Sequence, residues 1–232
     1  MADLPALSAS QVKKAGRTIR RFMRDEAVSE EQLLAAIDVV DRFRASHQLP
    51  LVKANNGLRS MLRSERCNVE VSQRLKRLPT IMEKLHRLPT LPLSRMQDIG
   101  GVRAILNSID EIRRVEARVK RNRPPVGYSD YIGSPRLSGY RGVHVIVKYD
   151  NRQIEIQLRT QVMHAWAITV ERVSSRLGKN LKSDGDHAVQ RLMAAISQAM
   201  AREEEGHVVD LGLLSEIDHL RTEAAPYLQG GR

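Results

Sequence analysis

The first 66 residues carry apolar positions at the spacing of helices. Val12, Ala15, Ile19 and Phe22 recur every three or four residues, and Ser8 or Ser10 is placed to cap a segment that runs to Arg24. Ser29 followed by Gln32 is a capping-box pattern, and the run after it repeats Leu33, Ile37, Val40 and Phe43. Pro50 reads as the end of that run, with a third helix over 51–65. Residues 70–87 keep the helical spacing through Val71, Leu75, Leu78, Ile81, Met82 and Leu85, and Pro89 and Pro92 then mark a loop. Val102 to Leu106 reads as a compact strand. Residues 109–120 read as a helix broken at 122–125.

The period then changes to two. Val143, Val145 and Val147 share one face of one run, and Ile154, Ile156 and Leu158 share one face of the next. Asp150-Asn151-Arg152 between them is turn-like, so the pair predicts a hairpin. Alternation forces Glu155, Gln157 and Arg159 onto the face opposite the isoleucines, a poor core but a suitable floor for a site. Helices are expected over 160–177 and 187–205, with a turn near 182–186 between them and a short acidic-to-apolar tail after.

Composition narrows the class. The 232 residues are 41% apolar and 28% charged, which excludes disorder, collagen and coiled coil. No apolar run reaches the roughly 18 residues of a membrane span, and Met1 to Pro5 has no signal-peptide character. Cys67 is the single cysteine, so neither an internal disulfide nor a cysteine metal cluster is possible. The expectation is a reduced, cytoplasmic protein with no membrane partner.

Charge changes the picture further. The net formal charge is +11, and it is not spread evenly. Residues 1–50 carry 8 basic and 7 acidic groups, residues 51–125 carry 17 and 7, and residues 126–232 carry 13 and 13. The excess therefore sits in one stretch and points to a polyanion, either nucleic acid or polyphosphate. Aromatics at 3% argue against a stacking platform for a long single strand.

Four clusters carry candidate chemistry. Arg74-Leu-Lys76 with Lys84 supplies cations for phosphates; on a helix Lys76 and Lys84 would share a side while Arg74 and Lys76 would diverge. Gln97-Asp98-Ile-Gly-Gly-Val-Arg103 puts a carboxylate at the mouth of a strand, a position suited to magnesium. Asp130-Tyr-Ile-Gly-Ser-Pro-Arg136 and Ser138-Gly-Tyr140-Arg-Gly-Val-His144 form a glycine-punctuated loop with rings and cations for a base and phosphate. Glu155-Ile-Gln157-Leu-Arg159-Thr160, with His164, Trp166 and Glu171 after it, places a carboxylate in mid-strand as a metal ligand or a base. His164 and Trp166 fit a packed helix start better than a site.

In this order and spacing the clusters resemble the synthetase domain of the RelA/SpoT family, from Arg74 to Glu171. The departures are Arg136 where the family has Lys, Gly142 where it has Ser, and a short loop at 150–152. The resemblance implies an α+β, nucleotidyltransferase-like fold with a mixed sheet of about five strands flanked by helices. Residues 1–66 would form an N-terminal helical segment, 67–178 the synthetase core and 179–232 a C-terminal helical extension, all in one compact domain. It implies an ATP pyrophosphokinase that uses Mg2+. Arg74, Lys76, Lys84 and Arg103 would hold ATP. Asp98 and Glu155 would bind the metal and serve as the catalytic carboxylates, Glu155 by activating the 3′-hydroxyl. Tyr140 would stack the acceptor base, with His144, Gln157, Arg159 and Arg136 around it.

The family's hydrolase pairs are absent. His-Asp does not occur, and Asp186-His187 and Asp218-His219 run in the reverse order. Met96 to Gly101 and His164 to Glu171 resemble the toxic small synthetases of toxin–antitoxin and phage-defence systems. Such synthetases act either on guanosine or adenosine nucleotides or on the 3′-terminal adenosine of tRNA, and the basic excess of residues 51–125 leans toward tRNA, through its 3′-CCA end, as acceptor; the toxin reading implies an antitoxin or immunity protein as partner. A guanine or adenine nucleotide acceptor, giving an alarmone synthetase, is the alternative, and a non-enzymatic nucleotide- or RNA-binding module is a more distant one.

Overall fold

The computed structural model describes residues 7–181 and 186–229. Three helices open the chain: α1 (Ala9–Phe22), α2 (Glu30–Ala45) and α3 (Gln48–Ser64). Ser8 and Ser29 cap the first two, each with a reciprocal box to the glutamine three residues on. Pro50 does not end α2. That helix stops at Ala45, and Pro50 sits in the first turn of α3, where its missing N–H costs nothing.

Five strands form one mixed sheet in the order β1 (Val71–Leu75), β2 (Gly100–Leu106), β5 (Arg152–Thr160), β4 (Val143–Tyr149), β3 (Gly127–Asp130). Only β2 and β5 run parallel. Between the strands lie α4 (Leu78–Arg87), a 3-10 turn at Leu93–Arg95 and α5 (Ile109–Asn122). After the sheet come α6 (Gln161–Leu177), α7 (Ala188–Glu204) and α8 (Leu211–Gln229).

Three further expectations change. Residues 70–87 are not one helix but a strand followed by a helix, because Pro79 cannot donate inside a helix and sits instead in the first turn of α4. Gly127–Asp130 is an edge strand that no alternation announced. The short tail is the 19-residue α8, with Pro226 near its end. The expected turn near 182–186 falls mostly outside the described residues.

The hairpin between β4 and β5 turns at Asp150 and Asn151, both at positive φ (46° and 62°), as a tight hairpin requires. One face of the sheet is apolar. Val102, Ala104, Val143, Val145, Ile154, Ile156 and Leu158 are buried there against α3 and α5. A second cluster joins α1, α2 and α4 to the loop before β2 through Ile19, Val40, Ile81, Leu85 and Ile99. A third joins α6, α7 and α8 to Tyr140 and Trp166. Among the described residues, no helix is long and apolar enough to cross a membrane.

Candidate active site

The polar face of the sheet follows from register. Arg74 pairs with Gly101, which pairs with Glu155; Ser72 pairs with Arg103, Arg103 with Gln157, and Gln157 with His144. Two neighbouring rows of side chains therefore stand on one face. They floor a cavity of about 810 Å³. Arg74, Lys76, Lys84, Asp98, Arg103, Arg136, Tyr140, His144, Glu155, Gln157 and Arg159 all border it.

At one end, the strand geometry of β1 resolves the divergence expected on a helix. Residues two apart on an extended chain face the same way, so Arg74 and Lys76 both address the cavity. The Lys76 N–H extends the ladder to the Ile99 carbonyl at 2.7 Å, and Arg44 of α2 donates to the Lys76 carbonyl at 2.7 Å. Lys84 arrives from α4, which α1 pins by burying Ile81 and Leu85 and by Arg20 donating to the Leu85 and Leu91 carbonyls. Both ammonium groups meet Asp98, Lys76 at 2.9 Å and Lys84 at 2.8 Å. Burial would raise the Asp98 carboxyl, but these two cations hold it below the usual carboxylate range. Burial, then the Arg159 charge, pull the Arg103 guanidinium below its ordinary value. Such crowding of cations is what an incoming phosphate relieves.

At the other end, Glu155 is held by hydrogen bonds. His144 Nδ1 lies 2.8 Å from Oε1, and Gln157 Nε2 donates to Oε2 at 2.7 Å. Burial works to raise this carboxyl. The hydrogen bonds from His144 and from the Gln157 amide outweigh it and keep the group ionised, against a push from Asp98. The Gln157 Oε1 accepts from Arg103 at 3.3 Å and from Arg159 at 3.2 Å.

Tyr140, expected to stack a base, is 6% exposed. Its ring is packed edgewise against Tyr131 and His144 and tilted against Trp166, and its hydroxyl is bonded to Arg159 and His144. Tyr131 is the more exposed ring of the two. Arg136 lies over it at 4.6 Å from the centroid and donates to its hydroxyl at 2.7 Å. The loop carrying these rings is fixed from both sides. Asp130 Oδ1 accepts from the Ile132 and Gly133 amides while Arg113 pairs with its other oxygen at 2.9 Å. Gly139 has φ of +86°, and a Cβ there would stand 2.7 Å from the Ala194 Cα, so only glycine lets α7 approach this closely. Ser197 of α7 donates to the Gly139 carbonyl at 2.6 Å, and Arg141 is buried on Glu204 at 3.0 Å.

Sequence reasoning missed Ser72, Arg95 and Tyr128, which also border the cavity. Arg95 comes from the 3-10 turn after Pro92, where no periodicity exists to mark it. Glu171 of α6 reaches the cavity, whereas Trp166 is core and donates to the Met193 carbonyl at 2.8 Å.

The donor set suits magnesium. Asp98 and Glu155 border the same cavity, so two hard carboxylates face one space. Among the described residues no trio of His, Cys, Asp and Glu forms a complete ligand cage. Magnesium needs none, because it takes one or two carboxylates and fills its remaining positions with phosphate oxygens and water.

Residues 73–174 match the region found in RelA / SpoT proteins. The chain is 29% identical over 140 residues to the GTP pyrophosphokinase YjbM of Bacillus subtilis, covering 55% of this chain and 66% of that protein. It is 29% identical over 150 residues to the uncharacterized protein Rv1366 of Mycobacterium tuberculosis, of which it spans 51%. Among solved structures, small alarmone synthetase 1 from Bacillus subtilis bound to its product pppGpp superposes with a TM-score of 0.61 at 25% identity, covering 80% of this chain and 97% of that one. A GTP pyrophosphokinase family protein from Streptococcus pneumoniae has the same TM-score at 22% identity and shares the fold.

Proposed function

We propose that this chain, whose residues 73–174 match the region found in RelA / SpoT proteins, is an ATP pyrophosphokinase acting on the 3′-hydroxyl of a nucleotide. The observation that carries the proposal is the pair Asp98 and Glu155 in one cavity, one held by lysines and the other by neutral donors. Arg74, Lys76, Lys84 and Arg103 bind the donor phosphates. Asp98 and Glu155 hold magnesium, which when bound neutralises phosphate charge. Glu155 takes the proton of the acceptor hydroxyl. The 3′-oxygen bonds to the β-phosphorus, the bond from that phosphorus to the α,β-bridging oxygen breaks, and AMP leaves. The acceptor lies on the Tyr131, Tyr140 and His144 side. Phosphoryl-type transfer asks the protein for positioning and charge more than for covalent help, and this cavity offers both.

A guanosine di- or triphosphate is the acceptor that the relatives support, since YjbM is named a GTP pyrophosphokinase and small alarmone synthetase 1 holds pppGpp. A second reading takes the 3′-terminal adenosine of tRNA as acceptor, which would make the protein a growth-inhibiting toxin neutralised by a partner protein. The observation favouring it is the excess of 17 basic over 7 acidic residues in 51–125. Arg87, Arg114 and Arg121 belong to that stretch and lie outside the cavity. One experiment separates the readings. Protein, γ-labelled ATP and magnesium are incubated with deacylated tRNA in one tube and with guanine and adenine nucleotides in another. Label is expected on the guanine nucleotides. Label on tRNA that disappears with the terminal adenosine selects the toxin reading, and no label on any acceptor removes the enzyme.

A further inference from the structure

The groups around Glu155 form a chain of donors with one direction. Arg159 is 4% exposed and can only donate. It places Nε at 3.1 Å and Nη2 at 2.7 Å from the Tyr140 hydroxyl oxygen. Those two N–H groups use both lone pairs of the phenol oxygen. The Tyr140 O–H must then point outward, and its neighbour there is His144 Nε2 at 2.5 Å. His144 Nε2 therefore accepts. The ring's proton is on Nδ1, which donates to Glu155 Oε1 at 2.8 Å. A proton on Nε2 as well would aim three N–H groups at one oxygen with two lone pairs. Arg159 also donates to Gln157 Oε1, which turns the Gln157 amide nitrogen toward Glu155 Oε2. Both arms start at Arg159 and end on the two oxygens of one carboxylate.

We infer that Arg159 and Tyr140 are positioning residues for Glu155: Arg159 orients the Tyr140 hydroxyl, the hydroxyl selects the Nδ1-protonated tautomer of His144, and that tautomer locks the carboxylate with its remaining lone pairs toward the cavity. Tyr140 then works through its oxygen, which a role in base stacking does not require. The geometry supports this in three ways. The Tyr140 ring is enclosed by Tyr131, His144 and Trp166. Arg159 lies near the same ring, 4.9 Å from its centroid, so it touches both ring and hydroxyl. The other charged groups that act on Glu155 leave the direction of the chain unchanged: Asp98 acts by charge alone, and Arg103 reaches it through Gln157.

The catalytic consequence rests on the pyrophosphokinase reading, but the tautomer does not, so the test has two arms. The first is 15N–1H NMR of the unaltered protein labelled at histidine, with His144 assigned by its loss in a His144→Asn variant. His144 is expected with Nδ1 protonated and Nε2 bare. An Nε2-protonated ring overturns the inference whether or not the protein transfers anything. The second arm is Tyr140→Phe, which keeps the ring and removes the oxygen. Loss of an orienting partner of this kind costs about 10–100-fold, and here it is expected in kcat, with KM for ATP and acceptor within about twofold and the Nδ1 preference of His144 gone. Unchanged kcat in Tyr140→Phe, or a raised acceptor KM with kcat intact, overturns it. Absence of any transfer by the unaltered protein would count against the proposed function and leave the NMR arm to decide the donor chain.

Discussion

Asp98 and Glu155 share one cavity and are held there in different ways. Asp98 sits between two ammonium groups on flexible stems, one from the end of β1 and one from α4. Glu155 sits in mid-strand between an imidazole and an amide whose own partners are fixed. Both carboxyls are held below their ordinary range despite burial. The lysines do this by charge, which has little directional demand, so each ammonium can leave Asp98 for a phosphate without disturbing the backbone. The imidazole and amide do it by directed hydrogen bonds, which fix where the lone pairs point. One end of the cavity is therefore built to exchange anions and the other to aim one. Their supports differ too: the lysine end is braced by α1, α2 and α4, and the glutamate end by α6, α7 and α8.

The sharpest way to break this comparison is to neutralise each carboxylate. Glu155→Gln is expected to lower kcat by at least about 100-fold, the lower range for a lost general base, with ATP KM nearly unchanged. Asp98→Asn is expected to cause a loss of the same order by another route. It leaves Lys76 and Lys84 facing each other with Arg74 near, so the magnesium requirement rises and the melting temperature falls. Initial rates over a magnesium series, with thermal melts of both variants, check this. Identical profiles for the two variants would show that the ends do not differ.

A smaller effect is expected from Lys84→Met. The substitution keeps the stem that covers α4 and removes one charge from Asp98 and from the donor phosphates. A hydrogen bond to a charged group is worth about 1.5–3 kcal/mol, so KM for ATP should rise roughly tenfold or more. The acceptor KM should hold steady. A rise in acceptor KM with ATP binding intact would place Lys84 on the glutamate side.

Much of this was legible in the chain, and the reasons differ by residue. Glu155, Gln157 and Arg159 share a face because strand period is two, and Ile154, Ile156 and Leu158 make that period plain. Asp98 was readable from the two glycines that follow it and the apolar run of β2. The lysine end was readable in content but not in geometry. Apolar spacing over 70–87 fits a helix throughout, and Pro79 was the one local sign that a helix could start only near Leu78. Strand β3 has four residues, between Pro125 and the Asp130 turn, too few for a periodic signal. Burial of Tyr140 was not legible at all, because it depends on α7 reaching Gly139 from more than 50 residues away.

The smallest expected effect tests whether ring packing, as opposed to hydrogen bonding, reaches Glu155. Arg136 lies over Tyr131, and Tyr131 meets both Tyr140 and His144 edge-on at 5.6 and 5.3 Å between centroids. Among the described residues, no hydrogen bond leads from Arg136 or Tyr131 to the carboxylate; their link to it is through ring contact with Tyr140 and His144. Arg136→Lys keeps the charge and removes the flat guanidinium, a change worth about 0.5–1 kcal/mol for a cation over an exposed ring. That corresponds to an acceptor KM raised by at most about fivefold. With the donor chain intact, kcat should not move, because Arg159, Tyr140, His144 and Gln157 still hold both oxygens of Glu155. A drop in kcat comparable to that of Tyr140→Phe would mean that the aromatic stack aims the carboxylate, and the contrast between a charged end and a hydrogen-bonded end would give way to one between a charged end and a packed one.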